Sequence, residues 1–340
     1  MDVFVNLFLR FVRFSAGLMD RSYEFDFFPS PYTMELKIVF FPVIPHERRV
    51  ADMPWTLRKS TPAGNPPVAG NTATGVLKWI ALLFMFIDHS GKVIFNNNQD
   101  LRLLGRIAFP IYIWCMVVGL ERTRSVPRYL LRILLVGFFS QPLYVLALDN
   151  QGHLGVLLTS LLAPLAEGFS LNGLWLVIKA FFFTKPNIFL TLFVGLAALW
   201  GIREKKWFSH IWAPVAAVLL ATVLNVDYGW KGIILIIMMY AARHSRPALA
   251  AVMIAFFMYW GTAYRLTNSL WGISFDVTRL PDWLSGPLSA FLRLETYALL
   301  SLPFILCRFP RDLRMPKWVS YALYPGHLVL LILLKLAIFR

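Results

Sequence analysis

Apolar runs separated by short polar segments dominate the chain from Val76 to its end. An α-helix needs about 20 predominantly apolar residues to cross a bilayer, because it rises roughly 1.5 Å per residue. Several runs approach that length, and the shorter ones indicate tilted or partly re-entrant helices. The pattern predicts nine helices, at about residues 77–95, 101–121, 129–148, 187–202, 208–225, 228–242, 247–265, 291–308 and 318–339.

The polar segments between the runs form two alternating sets, which predict the direction of each helix. The alternate turns, such as residues 96–100 and 225–227, are only weakly basic. Because Lys and Arg accumulate in cytoplasmic loops, we expect the basic set and the amino terminus on the cytoplasmic side. The basic set consists of residues 121–132, 203–206, 243–246 and 308–317.

Residues 153–186 complicate this alternation. The helix before them is predicted to end outside and the helix after them to begin outside, so the segment crosses the membrane twice or not at all. Its apolar stretches, 153–165 and 174–183, are each too short for an ordinary span. We expect a re-entrant or interfacial hairpin here, which gives nine to eleven transmembrane or re-entrant helical segments.

The composition indicates an all-α, polytopic integral membrane protein. The 340 residues are 58% apolar and 15% charged, with a mean hydropathy of +0.62, whereas soluble domains are about 45–50% apolar and about 25% charged. The 33 Lys and Arg residues against 18 Asp and Glu give a charge of +15, which cytoplasmic loops explain without nucleic-acid binding. Cys115 and Cys307 form no disulfide or metal-binding pattern, so both are expected to be small buried hydrophobic residues.

Residues 1–75 differ from the rest and are interpreted as an extension that precedes a membrane domain at 76–340. The first 19 residues mix Phe, Leu and Val with two arginines, which is typical of an amphipathic helix on a membrane surface. Pro, Gly, Asn and Thr dominate residues 61–75, which predicts a flexible linker. The alternative is a poorly ordered extension that translation from Met53 would largely omit.

Ionisable side chains inside the apolar runs mark a candidate site. Asp88 and His89 lie about three turns into the first run, Arg106 opens the second, and His327 lies inside the last. Such a group costs about 2.5 kcal/mol or more at membrane depth unless it is paired or faces a wet cavity. Histidine can accept and return protons near neutral pH, aspartate can fix its tautomer, and arginine can bind an oxyanion. An enzyme and a proton-coupled transporter could both use this set.

Further polar clusters interrupt the apolar runs, and each has a purely structural explanation. Asn and Ser often bond neighbouring membrane helices, Pro kinks helices, and Tyr or Trp anchors helix ends at the headgroups. The clusters are Ser140-Gln141-Pro142, Pro186-Asn187, Asn225 to Gly232, and Tyr321 to His327.

Taken in order, these motifs resemble those of the TraX family, conjugal-transfer membrane proteins associated with N-terminal acetylation of pilin. The resemblance covers about residues 76–340. The matching pieces are Lys78-Trp79-Ile80-Ala81, Met85-Phe86-Ile87-Asp88-His89-Ser90-Gly91, Gly105-Arg106-Ile107-Ala108-Phe109-Pro110, Ser140-Gln141-Pro142, Asn187 to Leu192, Asp227-Tyr228-Gly229 and Tyr321 to Leu328.

The resemblance implies an acyltransferase of the bacterial inner membrane that uses acetyl-CoA. The acceptor would be an amine or hydroxyl of a pilin-like peptide or an envelope component such as a glycan. His89 would be the general base, oriented by Asp88, and Arg106 would pair with Asp88 or contact the thioester or the CoA phosphates. His327 would be a second acid or base, or would polarise the thioester carbonyl, with Tyr324 donating a hydrogen bond. Asp227, Tyr228 and Asn187 are expected to help bind substrate or CoA, and no metal is expected.

The predicted helices place Asp88 nearer the outer half of the membrane and His327 nearer its middle, which would suit a tunnel. Two other functions stay open. One is a proton-coupled transporter that uses Asp88 and His89 as a relay. The other is a non-enzymatic assembly factor for a surface appendage, in which the polar residues only hold helices together.

Overall fold

The computed structural model describes residues 67–149 and 185–338 except 265, 268, 275, 314 and 315, together with 175, 178, 179, 181 and 182. The described residues belong to one compact unit and are mostly helical. The amphipathic helix predicted near the amino terminus and most of the hairpin predicted at 153–186 lie outside the described residues. Both stay predictions.

The helices fall into three groups along the chain. The first group is α1 (Thr74–Val93), α2 (Gln99–Gly105), α3 (Ala108–Arg122) and α4 (Val126–Tyr144), which continues as a π-helical turn (Val145–Asp149). The second is α5 (Ile188–Arg203), α6 (Trp207–Val223), α7 (Gly229–Ala241) and α8 (Arg246–Gly261). The last is α9 (Asp282–Phe291), a 3₁₀ helix (Leu294–Ser301), α10 (Leu302–Leu306) and α11 (Lys317–Ile338).

A small non-helical segment follows α8. Strands β1 (Ser269–Leu270) and β2 (Ile273–Ser274) pair antiparallel, with Leu270 opposite Ile273. A short 3₁₀ turn (Val277–Arg279) connects this hairpin to α9. The sequence pattern predicts only a loop here, because strands of two residues are too short to produce a recognisable alternation.

All nine predicted apolar runs are helical, which confirms the mostly helical fold. In the described part of the chain, three stretches are long and apolar enough to cross a membrane: Gln99–Arg122, Val126–Leu148 and Trp318–Ile338. These stretches indicate a membrane protein, while the number of spans stays a prediction. Two runs differ in detail, since one breaks between Gly105 and Ala108, and another is largely the 3₁₀ helix.

Helix α3 forms the centre of the bundle. It packs against α1, α5, α7 and the 3₁₀ helix. Side chains on all its faces are fully buried, including Ile111, Trp114 and Val118, which is why its sequence is apolar all round rather than amphipathic. By contrast, α6 exposes Trp207, Trp212 and other large apolar side chains, as a lipid-facing helix would.

The described part of the predicted linker, residues 67–75, is packed against the bundle. Asn71 is fully buried, and its side chain donates to the Phe304 carbonyl at 2.9 Å. The Trp114 indole donates to the Asn71 carbonyl at 2.7 Å. Gly70 lies against the same indole, where a Cβ atom would come within 2.5 Å of a ring carbon. This part of the expected linker is therefore an ordered element of the core.

The four basic loops gather at one end of the bundle, as their alternation predicts. Hydrogen bonds and ion pairs connect them to residues 68–72 and to the end of α3. Arg122 donates to the Thr72 carbonyl, Arg203 to Leu120, Arg246 to Ala69 and Arg308 to Val68, while Arg243 pairs with Glu121.

One of the two cysteine predictions is wrong. Cys115 is buried in α3, as expected, but Cys307 is exposed. Helix α10 ends at Leu306, so the chain has already left the core when it reaches Cys307.

Candidate active site

A cavity of about 590 Å³ extends through the bundle beside α1. One face of this helix supplies Lys78, Met85, Asp88, His89 and Lys92 to its wall. From the first to the last of these residues the helix rises roughly 21 Å, at about 1.5 Å per residue. The cavity is therefore elongated along α1.

One end of the cavity lies beside the basic loops. There the Lys78 ammonium donates to the Ser320 hydroxyl at 3.2 Å, and Arg132 Nε donates to the Tyr321 hydroxyl at 3.1 Å. The Arg132 guanidinium also lies 5.7 Å from the centre of the Tyr129 ring. Neither cation forms an ion pair with a carboxylate among the described residues, so both can contact an anion at this end.

His89 lines this cavity, and its side chain contacts His327. His89 Nδ1 lies 2.8 Å from His327 Nε2, and the two rings are nearly parallel with their centres 5.0 Å apart. Together with the contact between Lys78 and Ser320, this pair shows that α1 and α11 run side by side in the same direction. The prediction that put Asp88 and His327 at different depths is wrong, because His327 contacts the residue beside Asp88.

The proton on each ring is assigned from the hydrogen bonds of the pair. His327 Nδ1 lies 3.4 Å from the Leu323 carbonyl, which can only accept, so we assign the proton to Nδ1 and leave Nε2 unprotonated. Nε2 then accepts from His89 Nδ1–H, which leaves His89 Nε2 with a free lone pair. Because His89 lines the cavity, this nitrogen is suited to act as a general base there.

Asp88 pairs with arginines and does not orient His89 as predicted. Its Oδ1 lies 3.9 Å from Arg102 Nε and 3.9 Å from Arg106 Nη2. Successive residues of an α-helix point about 100° apart, so two neighbours rarely share one partner. Gly105 permits this arrangement, because a Cβ atom there would come within 2.1 Å of the Asp88 side chain.

Arg106 forms its shortest ion pair with Glu295, a residue that the sequence analysis did not single out. Arg106 Nη1 lies 3.1 Å from Glu295 Oε1, and Glu295 is only 2% exposed. The expected pairing of Arg106 with Asp88 is present, but as the longer contact. A lone carboxylate inside the apolar run at 291–308 was the signal that could have identified Glu295.

Asp227 and Tyr228 lie at the other end of the cavity. Asp227 Oδ1 pairs with Lys185 Nζ at 2.9 Å, and its carbonyl accepts from the Thr191 hydroxyl. Tyr228 has a left-handed φ of 60° and stacks on Phe109 with ring centres 3.7 Å apart. Both residues line the cavity.

Tyr324 lines the cavity as well, whereas Asn187 does not. The Tyr324 ring contacts His327 edge-on, with ring centres 5.1 Å apart. The Asn187 side chain accepts from the Phe189 amide at 3.0 Å and donates to the Gly137 carbonyl at 2.8 Å. These bonds cap the start of α5 and attach it to α4, so Asn187 holds the helices rather than lining this candidate site.

The chain is similar to a known protein family and to a named relative. The TraX family, described as TraX protein, matches residues 73–166 and 175–335. The chain is also similar to the probable fimbrial assembly protein FimC, serogroup H1, of Dichelobacter nodosus, with 30% identity over 136 residues. That alignment covers 37% of this chain and 56% of the relative, so the chain matches little more than half of the relative's length. No solved structure matches the chain.

Proposed function

Because the chain belongs to the TraX family, we propose that it is a membrane-embedded acetyltransferase that transfers acetyl from acetyl-CoA to an amine or hydroxyl. Membership confirms the resemblance noted in the sequence. The observation that carries the proposal is the pair of His89 and His327, in which His89 lies on the wall of a long cavity. A neutral imidazole with a defined free lone pair is the group that acyl transfer requires.

In the proposed reaction, His89 Nε2 removes a proton from the acceptor as the acceptor nitrogen or oxygen attacks the thioester carbonyl carbon. A new C–N or C–O bond forms, and the C–S bond breaks. The departing CoA thiolate receives the proton from His89, so the base is regenerated. His327 accepts the Nδ1–H hydrogen bond throughout and keeps the His89 ring oriented between the two proton transfers.

We place acetyl-CoA with its phosphates at the Lys78 end of the cavity. Within the described part of the chain, Lys78 and Arg132 supply positive charge without an ion pair to a carboxylate, whereas Arg106 pairs with Glu295. From Lys78 to His89 the helix rises roughly 16 Å, at about 1.5 Å per residue. An extended pantetheine arm is of comparable length, so the thioester would reach His89.

This placement also suggests an orientation and a membrane. CoA is a cytoplasmic metabolite, and the basic loops gather at the Lys78 end, so this end would face the cytoplasm across the bacterial inner membrane. The acceptor would then approach from the Asp227 end. The similarity to a probable fimbrial assembly protein supports a pilin-like peptide or another envelope component of a surface appendage as the acceptor.

The test is transfer of labelled acetyl by the purified protein in nanodiscs, together with co-extracted peptide, lipid and glycan. The wild type would be compared with His89→Ala and with His210→Ala, a control histidine on α6 outside the cavity. We expect His89→Ala to lose at least about 100-fold in transfer rate, as removal of a general base does, and His210→Ala to lose none.

Two results would contradict this proposal. If the wild type fails to bind CoA at millimolar concentration, the enzyme is excluded, and a transporter that uses Asp88 and His89 or an assembly factor becomes the better explanation. If His89→Ala transfers acetyl at the wild-type rate, His89 is not the base.

A further inference from the structure

Arg106 has an unoccupied hydrogen-bonding edge. Its Nη1 donates to Glu295, but its buried Nε has no hydrogen-bond partner among the described residues. Its Nη2 makes no hydrogen bond in that part of the chain, and the nearest carboxylate oxygen, Asp88 Oδ1, is 3.9 Å away. The Nε and Nη2 groups of an arginine point in parallel, and together they bind two oxygens of one anion.

The Arg106 side chain lies beside the cavity in which we place the thioester. Arg106, Glu295 and His89 all line the same cavity, and the Arg106 side chain is only 11% exposed. Donors that are shielded from water act more strongly on a developing charge than donors in bulk solvent, and they need no reorganisation during the reaction.

We infer that the Nε–Nη2 edge of Arg106 binds the oxyanion that forms on the thioester carbonyl, and that Glu295 is a positioning residue that holds this edge toward the cavity. The inference rests on the proposed acetyl transfer. When the acceptor lone pair attacks the carbonyl carbon, the C=O π electrons move onto oxygen, and the edge donates to that oxygen. Collapse restores the C=O bond and expels the thiolate, which His89 protonates.

The charges around Arg106 favour this assignment. Two arginines, Arg102 and Arg106, face two carboxylates, Asp88 and Glu295. The cluster is formally neutral, so it accommodates the uncharged thioester of the ground state. Interactions that strengthen only as the oxyanion forms raise the rate rather than the affinity for acetyl-CoA.

The test uses two stable analogues of acetyl-CoA that differ in charge. Carboxymethyl-CoA has a carboxylate close to the position of the thioester carbonyl, and acetonyl-CoA has a ketone there. Binding of both would be measured in nanodiscs for the wild type and for Arg106→Lys, which keeps the charge and loses the fork. Glu295→Asp keeps the charge and withdraws the carboxylate, and Glu121→Asp is the matched control, because Glu121 pairs with Arg243 away from the cavity.

We expect the wild type to bind carboxymethyl-CoA roughly tenfold or more tightly than acetonyl-CoA, since hydrogen bonds to a charged group are the stronger ones. Arg106→Lys should lose this preference, Glu295→Asp should reduce it, and Glu121→Asp should keep it. If the wild type binds both analogues equally, or if Arg106→Lys keeps the preference, the inference is wrong and the acetyltransferase proposal stands. If neither analogue binds to the wild type, the proposed function fails.

Steady-state kinetics distinguish whether the Arg106 edge binds the oxyanion of the transition state or an anionic group of the acceptor. For an oxyanion of the transition state, Arg106→Lys should lower kcat by about 100-fold or more without raising the KM for the acceptor. Combining it with Glu295→Asp should add little further loss, because the role proposed for Glu295 is to position the Arg106 edge. A raised acceptor KM with an unchanged kcat would overturn the assignment and indicate that the edge binds a carboxylate or phosphate of the acceptor.

Discussion

His327 has the role predicted for Asp88, that of hydrogen-bond partner of His89. It accepts a hydrogen bond from His89 Nδ1 and thereby fixes the tautomer of the candidate base. An imidazole in this position differs from a carboxylate, since it offers no negative charge to balance the imidazolium. We therefore expect His327 to act chiefly through orientation.

Substitution of His327 tests this role. Glutamine can still present a side-chain oxygen to His89 Nδ1–H, whereas alanine cannot. We expect His327→Gln to retain roughly tenfold more transfer activity than His327→Ala, which is about the effect of one hydrogen bond. The measurement is kcat in nanodiscs at several pH values. Equal and complete loss in both variants would mean that His327 itself transfers the proton.

Asn187 offers a contrasting prediction, because its side chain hydrogen-bonds to the backbone of α4 and α5 and does not line the cavity. Asn187→Ala should lower the free energy of unfolding by about 1–2 kcal/mol through the lost helix cap and hydrogen bond. Thermal unfolding in detergent measures the change. The affinity of the surviving folded protein for CoA should stay unchanged, and a weakened CoA affinity without loss of stability would restore the substrate-binding role.

At the scale of elements, the close approach of α1 and α2 depends on Gly105. A Cβ atom at this position would lie within 2.1 Å of Asp88, so Gly105→Ala must displace the helices. We expect a loss of about 1–3 kcal/mol in stability, the usual cost of overpacking, with reduced transfer activity.

The matched control is Gly326→Ala in α11, where nothing lies within 4 Å of an added Cβ atom. It should be neutral or stabilising by up to about 1 kcal/mol, the difference in helix propensity. Thermal unfolding of both variants measures the difference in stability between them. If both behave alike, the contact of Gly105 with Asp88 does not determine the helix spacing.

The sequence predicts the helices of this fold well, because a long apolar run satisfies its backbone hydrogen bonds most readily as a helix. It does not predict the finer details. The break at Arg106 and the 3₁₀ helix at Leu294–Ser301 depend on packing against neighbours, and local periodicity does not report that packing. The pairing of His89 with His327 joins residues 238 positions apart. Each histidine is noticeable in the sequence because it lies inside an apolar run. Their contact, however, is visible only in the folded structure.

At the scale of the molecule, the charged loops predict a fixed orientation. Cysteine labelling with membrane-impermeant reagents in cells tests it, in a Cys307→Ser background, because Cys307 is exposed whereas Cys115 is buried. We expect Lys206→Cys to be labelled only after the cytoplasmic side is opened and Gln99→Cys to be labelled in intact spheroplasts. The reverse labelling pattern would mean that the protein has the opposite orientation. The proposed CoA site would then face away from the cytoplasm, which contains the CoA.

The long charged cavity has a further consequence for the membrane that holds it. An elongated polar space inside a membrane protein is also a route by which protons and metal ions could leak down their gradients. Cations outnumber carboxylates on its wall in the described part of the chain, and positive charges along a narrow passage raise the electrostatic barrier to other cations. The excess of positive charge would therefore limit the leakage of cations across the bilayer. The six lining cations are Lys78, Lys92, Arg102, Arg106, Lys185 and Lys231, against Asp88, Asp227 and Glu295.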